Sequence, residues 1–240
     1  MSFAYVPEFG IPQADGTHKS FLGNAILSTV PLNEVRAVAL PRPLPERPTA
    51  MLRHRVGLNT GLITTARFGH RDVTVGVLHL ASQCDPEARD RQMATYLAAF
   101  PKGGPAIIGG DLNTTTTVLL SPTIRPEEVR CATLTWWREL LRICVRVALR
   151  PSRFHWPQPY EPLFKRLRAA GLKIDEVNVM GKPTFTFSRV IPPLYRPKLD
   201  WLAVRELKAV PGSAAVLPPR RSVFSPRLSD HDFVTVELDI

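Results

Sequence analysis

Apolar positions arrive along the chain in short blocks closed by turn residues. The blocks Gly23 to Ser28, Leu58 to Ala66, Val73 to Leu80, Ala106 to Ile108, Leu199 to Val204 and Phe233 to Leu238 have the length and composition of strands. Between them, Pro86 to Phe100, Pro126 to Arg150 and Glu161 to Ala170 carry helical spacing. The first two open on proline, whose missing N–H is no loss in a first helical turn. Strands and helices in mixed order predict a layered α/β fold. Leu40 to Pro48 holds four prolines, Pro41, Pro43, Pro45 and Pro48, and predicts an extended surface loop, because proline sustains neither a helix nor an interior ladder. Pro151 to Pro162 predicts a second such loop.

Composition narrows this pattern. At 240 residues, 44% hydrophobic and 22% charged, the chain is expected to fold as one domain over 1–240 with a sizeable core. The net charge of +10 is unevenly distributed: residues 114–173 hold eleven Lys or Arg against four Glu. That surplus predicts a basic helical insertion at about 114–160, a stretch read directly from the sequence. Within it Arg138, Arg142, Arg146 and Arg150 recur every four residues, which on a helix makes one drifting seam. Two readings stand for this seam. It is either a phosphate- or membrane-surface-binding face, which Trp136 and Trp137 would suit, or a solvated face of a helix packed on its core.

Cys84, Cys131 and Cys144 form no CxxC pair and suggest neither a disulfide framework nor a zinc site. The start MSFAYVPEFG lacks a basic region followed by an apolar one, and no uncharged apolar run reaches transmembrane length. A cytoplasmic protein without a transmembrane segment is expected.

Chemistry concentrates at strand ends. Ile107-Ile108-Gly109-Gly110-Asp111-Leu112-Asn113 is an apolar strand running into two glycines and then a carboxylate and an amide two positions apart, which an extended chain points the same way. An Asx-type turn is the plainer reading of the same residues. Ser229-Asp230-His231 sets a metal-capable carboxylate beside an imidazole just before the last strand, where a solvated turn is the alternative. Lys198-Leu199-Asp200-Trp201-Leu202 puts an acid inside an apolar strand, where it either faces water from an edge or needs a partner; His231 is the natural candidate. Val75 to Leu80 ends on His79, which by itself reads as a satisfied core histidine.

Taken in order, GNAILS, HL, GDLN, LDW and SDH resemble the endonuclease/exonuclease/phosphatase superfamily, and the likeness runs from Tyr5-Val6-Pro7 through Arg89-Asp90-Arg91-Gln92 to Ser229-Asp230-His231. The resemblance implies a four-layer α/β sandwich, two mainly antiparallel sheets flanked by helices as in deoxyribonuclease I, with the site where loops converge at one end of the sheets. It also implies a metal-dependent phosphoester hydrolase, either a phosphodiesterase or nuclease or a phosphatase. His79 would contact the phosphate, Asp111 would activate or orient the attacking water, and Asn113 would position the scissile phosphate. Asp230 would help hold the metal. His231, supported by Asp200, would act as acid/base or as a ligand. Mg²⁺ or Mn²⁺ suits such oxygen-rich donors.

The likeness has one departure. Proteins of this superfamily carry, upstream of the Tyr-Val-Pro region, a strand ending in Gln-Glu whose Glu is a principal metal ligand. The chain begins after that point, and Glu8 lies in a different segment from that ligand. The fold is therefore expected to be N-terminally incomplete. The alternative function is a catalytically impaired or truncated member acting as a phosphate-ligand or nucleic-acid binding module. The partner is a phosphate-containing substrate, with nucleic acid and phospholipid headgroup both open.

Overall fold

The computed structural model describes residues 1–12, 15–42, 56–57, 59–82, 84, 86–114, 161–185, 198–219 and 229–240. The expected helix Pro126 to Arg150, with Arg138, Arg142, Arg146 and Arg150, lies outside the described residues, as do the insertion at about 114–160 beyond Thr114 and residues 43–48 of the proline loop.

Strand β1, Ser2–Pro12, pairs antiparallel with β2, His18–Ser28. The hairpin is two-faced: Ala4, Val6 and Glu8 are buried, while Phe3 and Tyr5 face outward. A two-residue strand β4, Val56–Gly57, adds to the other edge of β1 at Phe9 and Gly10. Five strands form the main sheet: β3 (Leu32–Ala39), β5 (Thr60–Phe68), β6 (Arg71–Val77), β7 (Ala106–Asp111) and β8 (Asp200–Arg205), in the order β3-β5-β6-β7-β8. Among the described strands only the β6–β7 pair is parallel, and the crossover it needs is supplied by helix α1, Pro86–Ala99. Helix α2, Pro162–Ala169, packs beside α1. Short strands β9 (Lys208–Ala209) and β12 (Leu238–Asp239) pair with each other, as do β10 (Ala215–Leu217) and β11 (Phe233–Thr235).

The core has two faces. On one, α1 and α2 cover the main sheet through Met93, Tyr96, Leu163, Phe164, Ile108 and Trp201. Each fully buried side chain of this size contributes about 1.5–3 kcal/mol of transfer free energy. Tyr96 donates its hydroxyl to the carbonyl of Leu62 at 3.0 Å. It can lie flat on the sheet because residues 61 and 76 lack side chains: a Cβ at Gly76 would stand 2.2 Å from the Tyr96 oxygen. On the opposite face Val73, Val177, Val204 and Leu207 form one cluster, and Ala4, Val6 and Leu62 form another beneath the β1–β2 hairpin.

Polar groups lock the helices to the loops that carry the site. Arg89 on α1 holds Glu161 through Nε at 2.9 Å and Nη2 at 2.8 Å, both side chains being almost wholly buried. The Gln92 carboxamide accepts from the Ala81 N–H at 2.8 Å and donates to the carbonyl of Pro41 at 2.9 Å. The loop leaving β6 is thereby fixed against α1.

The expected strands are present with shifted ends, and two departures have a physical origin. The block Phe233 to Leu238 is divided into β11 and β12, which pair with different partners. The block Val73 to Leu80 ends as a strand at Val77. Its backbone nevertheless continues bonding, Leu78 N–H to Gly109 O at 3.2 Å and Leu80 N–H to Asp111 O at 2.9 Å. On the other side Leu112 N–H meets Leu199 O at 2.9 Å. Three chain segments therefore leave the sheet side by side, bearing His79, Asp111 and Asp200.

Candidate functional site

Asp111 stands at the centre of these three segments. It is paired in register with Asp200 across β7 and β8, so two carboxylates meet at the sheet end. The turn after it is an Asx turn: the Asn113 N–H donates to Asp111 Oδ1 at 2.8 Å, and Asn113 takes a left-handed φ of 47°. The Asn113 side-chain amide donates to the Leu80 carbonyl at 2.7 Å, tying the turn to the end of β6. Gly110 is obligatory here. At φ 146° a Cβ would lie 1.9 Å from the Leu78 oxygen.

Two imidazoles flank Asp111 in matching ways. His79 has Nδ1 3.0 Å from Glu8 Oε2 and Nε2 3.9 Å from Asp111 Oδ2. His231 has Nδ1 2.8 Å from Asp200 Oδ2 and Nε2 3.8 Å from Asp111 Oδ2. A carboxylate at Nδ1 selects the tautomer with hydrogen there and leaves Nε2 to face Asp111. The gaps of nearly 4 Å at Nε2 exceed a hydrogen bond and leave the three groups converging on a shared space.

Glu8 is the residue that sequence reasoning passed over. Its carboxylate has no solvent exposure, and Oε1 accepts from Asn24 Nδ2 and from the Thr60 N–H, each at 3.1 Å. It orients His79 and is not part of the Asp111–Asp200–His231 group. The available signal was the alternation of β1, which puts an acid on the same face as Ala4 and Val6 and so demands a partner.

On the His231 side, Thr184 fastens the strand. Its hydroxyl accepts from the N–H groups of Leu199 and Asp200 at 2.9 and 3.0 Å, and its carbonyl accepts from the Asp232 N–H at 2.7 Å. The Phe185 ring meets the His231 ring edge-on at 4.9 Å. The Ser229 hydroxyl accepts from the His231 N–H at 3.0 Å, while Asp230 is exposed and its charge favours the protonated His231 ring.

The electrostatics follow from these contacts. The Asp111 carboxyl is raised above its ordinary 3.8, first by burial and then by the charge of Asp200, against the lowering pull of His79, His231 and the Asn113 N–H. Burial works against the charged form of His79, but its hydrogen bond to Glu8 and the charges of Asp111 and Glu8 outweigh it, so His79 is raised above 6.5. His231 is raised chiefly by its hydrogen bond to Asp200. Lys198, 1% exposed, lies 4.7 Å over the Trp201 ring, and among the described residues its Nζ has no hydrogen bond. Burial lowers it to about 8 against the opposing charge of Asp200.

Asp111, Asp200 and His231 each bring a donor atom within 4.8 Å of the others. Two carboxylates and an imidazole, with negative charge built up between the two acids, fit a divalent cation that prefers oxygen and keeps some of its waters. Asp230 stands outside this trio. Among the described residues no helix is long and apolar enough to cross a membrane.

No protein-family model matches the chain, and no curated protein matches its sequence. Solved structures do match. The endonuclease/exonuclease/phosphatase from Beutenbergia cavernae is 18% identical with a TM-score of 0.60, over 98% of this chain and 53% of that protein. The chain thus spans about half of that protein's length. The human Nocturnin catalytic domain with bound sulfate anion is 14% identical with a TM-score of 0.57, over 99% of this chain and 71% of that one. D. rerio TDP2 complexed with single strand DNA product is 13% identical with a TM-score of 0.52, over 98% and 77%. The chain has the fold of these proteins, the deoxyribonuclease I-like α/β sandwich.

Proposed function

We propose that the chain is a metal-dependent phosphoester hydrolase whose reacting phosphate sits in the space shared by His79, Asp111 and His231. The observation that carries this reading is the convergence of two Nε2 atoms on Asp111 at 3.8 and 3.9 Å, each ring being backed by a carboxylate at Nδ1. The fold shared with a structure named as an endonuclease/exonuclease/phosphatase, and with the Nocturnin catalytic domain holding a sulfate, supports it.

In this reading His79 and His231 offer Nε2 hydrogens to the phosphate oxygens when protonated, and their raised pKa values extend that form toward neutral pH. Asp111 orients the attacking water and takes up its proton, for which a raised carboxyl is better matched than an ordinary one. His231, steadied by Asp200, returns a proton to the leaving oxygen. Asn113 positions the phosphate with the amide hydrogen not given to Leu80. Asp111 and Asp200 would hold a Mg²⁺ or Mn²⁺ ion, with His231 Nε2 joining them only while that ring is unprotonated, and the ion when bound would supply charge neutralisation at the phosphoryl oxygens.

The test is hydrolysis of bis(p-nitrophenyl) phosphate with and without Mg²⁺ or Mn²⁺. Asp111→Asn and His231→Ala should each lower turnover by about a hundredfold or more, the scale of a lost acid/base group, with the melting profile little changed. Turnover that survives full metal removal, or either variant near the wild-type rate, would refute the site. Phosphate binding without turnover under any metal would leave the same residues as a phosphate-binding module.

A further inference from the structure

Beside the His231–Asp200 pair lies a recess of about 270 Å³ bounded by Gly110, Asp200, Leu202, His231, Asp232 and Phe233. Phe233 is 58% exposed, and its directly opposite neighbour across β10 and β11, Leu217, is 48% exposed. Val216, on the other face of the same pair, is 3% exposed, so this small ladder buries one side and offers an apolar side to solvent. His231 and Phe233 are two residues apart and both line the recess, which makes its apolar wall continuous with the phosphate-facing imidazole.

The lining selects what enters. His231 turns Nε2 toward Asp111, so the phosphate held by His79 and His231 lies at the edge of the recess and the space lined by Leu202 and Phe233 is left to an uncharged part of the substrate. The volume falls just below the roughly 300–1,000 Å³ of pockets that take whole small molecules, which matches one ring system rather than a long chain. Gly110 contributes no side chain, leaving a flat floor against an aromatic wall.

Resting on the hydrolase reading above, we propose that Phe233, flanked by Leu217, is a specificity-determining residue that stacks a flat heteroaromatic ring, a nucleobase, carried by the phosphate substrate. Exposed aromatic faces bind bases of any identity through their π-faces, and a 58% exposed ring still has apolar surface to bury against one.

The experiment is calorimetric titration of the metal-free protein with adenosine 5′-monophosphate, ribose 5-phosphate and hexyl phosphate. Adenosine 5′-monophosphate should bind about tenfold tighter than ribose 5-phosphate, within the range base stacking supplies. Phe233→Ala should erase that margin and Phe233→Trp should keep it. An equal affinity in the wild type, a margin that persists in Phe233→Ala, or the same margin for hexyl phosphate would overturn the ring subsite. The phosphate site itself is read separately: if His231→Ala leaves ribose 5-phosphate binding unchanged, the hydrolase reading falls, whatever the adenosine margin does.

Discussion

The two imidazole–carboxylate pairs look alike at Asp111 and are built differently behind it. Glu8 is sealed, with its side chain wholly buried and all its described donors, Asn24 Nδ2, the Thr60 N–H and His79 Nδ1, inside the fold. Asp200 retains 20% exposure and begins an edge strand of the main sheet, held there by the Thr184 hydroxyl. Asn59 adds to the first arrangement by donating to the His79 carbonyl at 3.0 Å. The first pair is welded into the packing between the hairpin and the main sheet; the second is a rim fixture within reach of solvent. A shared chemical motif therefore need not share its contribution to stability.

That contrast predicts its own largest effect. Glu8→Ala strands three donors, two of them in the interior, and should cost about 3–5 kcal/mol, the usual penalty for removing one partner of a buried charge pair. Asp200→Ala should cost about 1–2 kcal/mol, because water can reach the freed His231 nitrogen. Chemical denaturation of the two variants measures both. Equal losses would dissolve the distinction between a sealed and a rim pair.

The same contrast explains what was legible in the sequence. GDLN, LDW and SDH stand out because polar residues interrupt apolar blocks at strand ends; the order of those blocks implies a layered α/β class, and the sandwich is what the resemblance carried by the motifs implies. Glu8 was hidden because β1 alternates through Pro7, Gly10 and Pro12, residues that argue against a strand, and because pairing Glu8 with His79 joins positions 71 residues apart. Strand β3 was missed for the opposite reason. Five consecutive residues, Asn33 to Ala37, are exposed, so its outer-edge position leaves little alternation to read, and a register shift between Asn33 and Arg36 breaks what remains. The proximity of Asp111 to both rings depends on backbone bonding beyond the strand ends, which no local pattern encodes.

A second, smaller effect separates the strands that carry the two pairs. Around His79 the buried donors of Asn24 and Asn59 have acceptors, whereas on the Asp200 side Lys198 Nζ has none among the described residues. Lys198→Met removes a buried ammonium and should raise stability at pH 7 by about 1–2 kcal/mol, once the lost attraction to Asp200 is set against the desolvation it relieves. The sign is set by the lowered pKa. A cation depressed from 10.5 to about 8 carries its full cost below about 8 and loses it as pH climbs toward 10.5, where the amine is neutral in both states. The gain in Lys198→Met should accordingly shrink across that window in melting experiments. A gain that is constant from pH 7 to 10 would mean that packing, not charge, is responsible.

The smallest effect is the most discriminating, and it lies in the imidazole titrations. Both rings are raised above 6.5 in the fold, so each contributes stability that is fully present below the unfolded value and is lost as pH rises through the folded one. The causes differ in rank. For His79 the largest influence is burial, which opposes charge and is overcome only with Glu8 present; for His231 the largest is the hydrogen bond from Asp200 itself. Glu8→Gln should therefore drop His79 below its ordinary value, because desolvation is then the leading influence that remains. Asp200→Asn should lower His231 less than Glu8→Gln lowers His79, since burial ranks below the Asp200 hydrogen bond for this ring and is opposed by the remaining charges of both Asp111 and Asp230. Proton NMR of the histidine ring signals in metal-free protein follows both curves at once. If the two substitutions displace their histidines alike, burial does not separate the pairs, and the sealed pair behind His79 owes its distinct character to something other than desolvation.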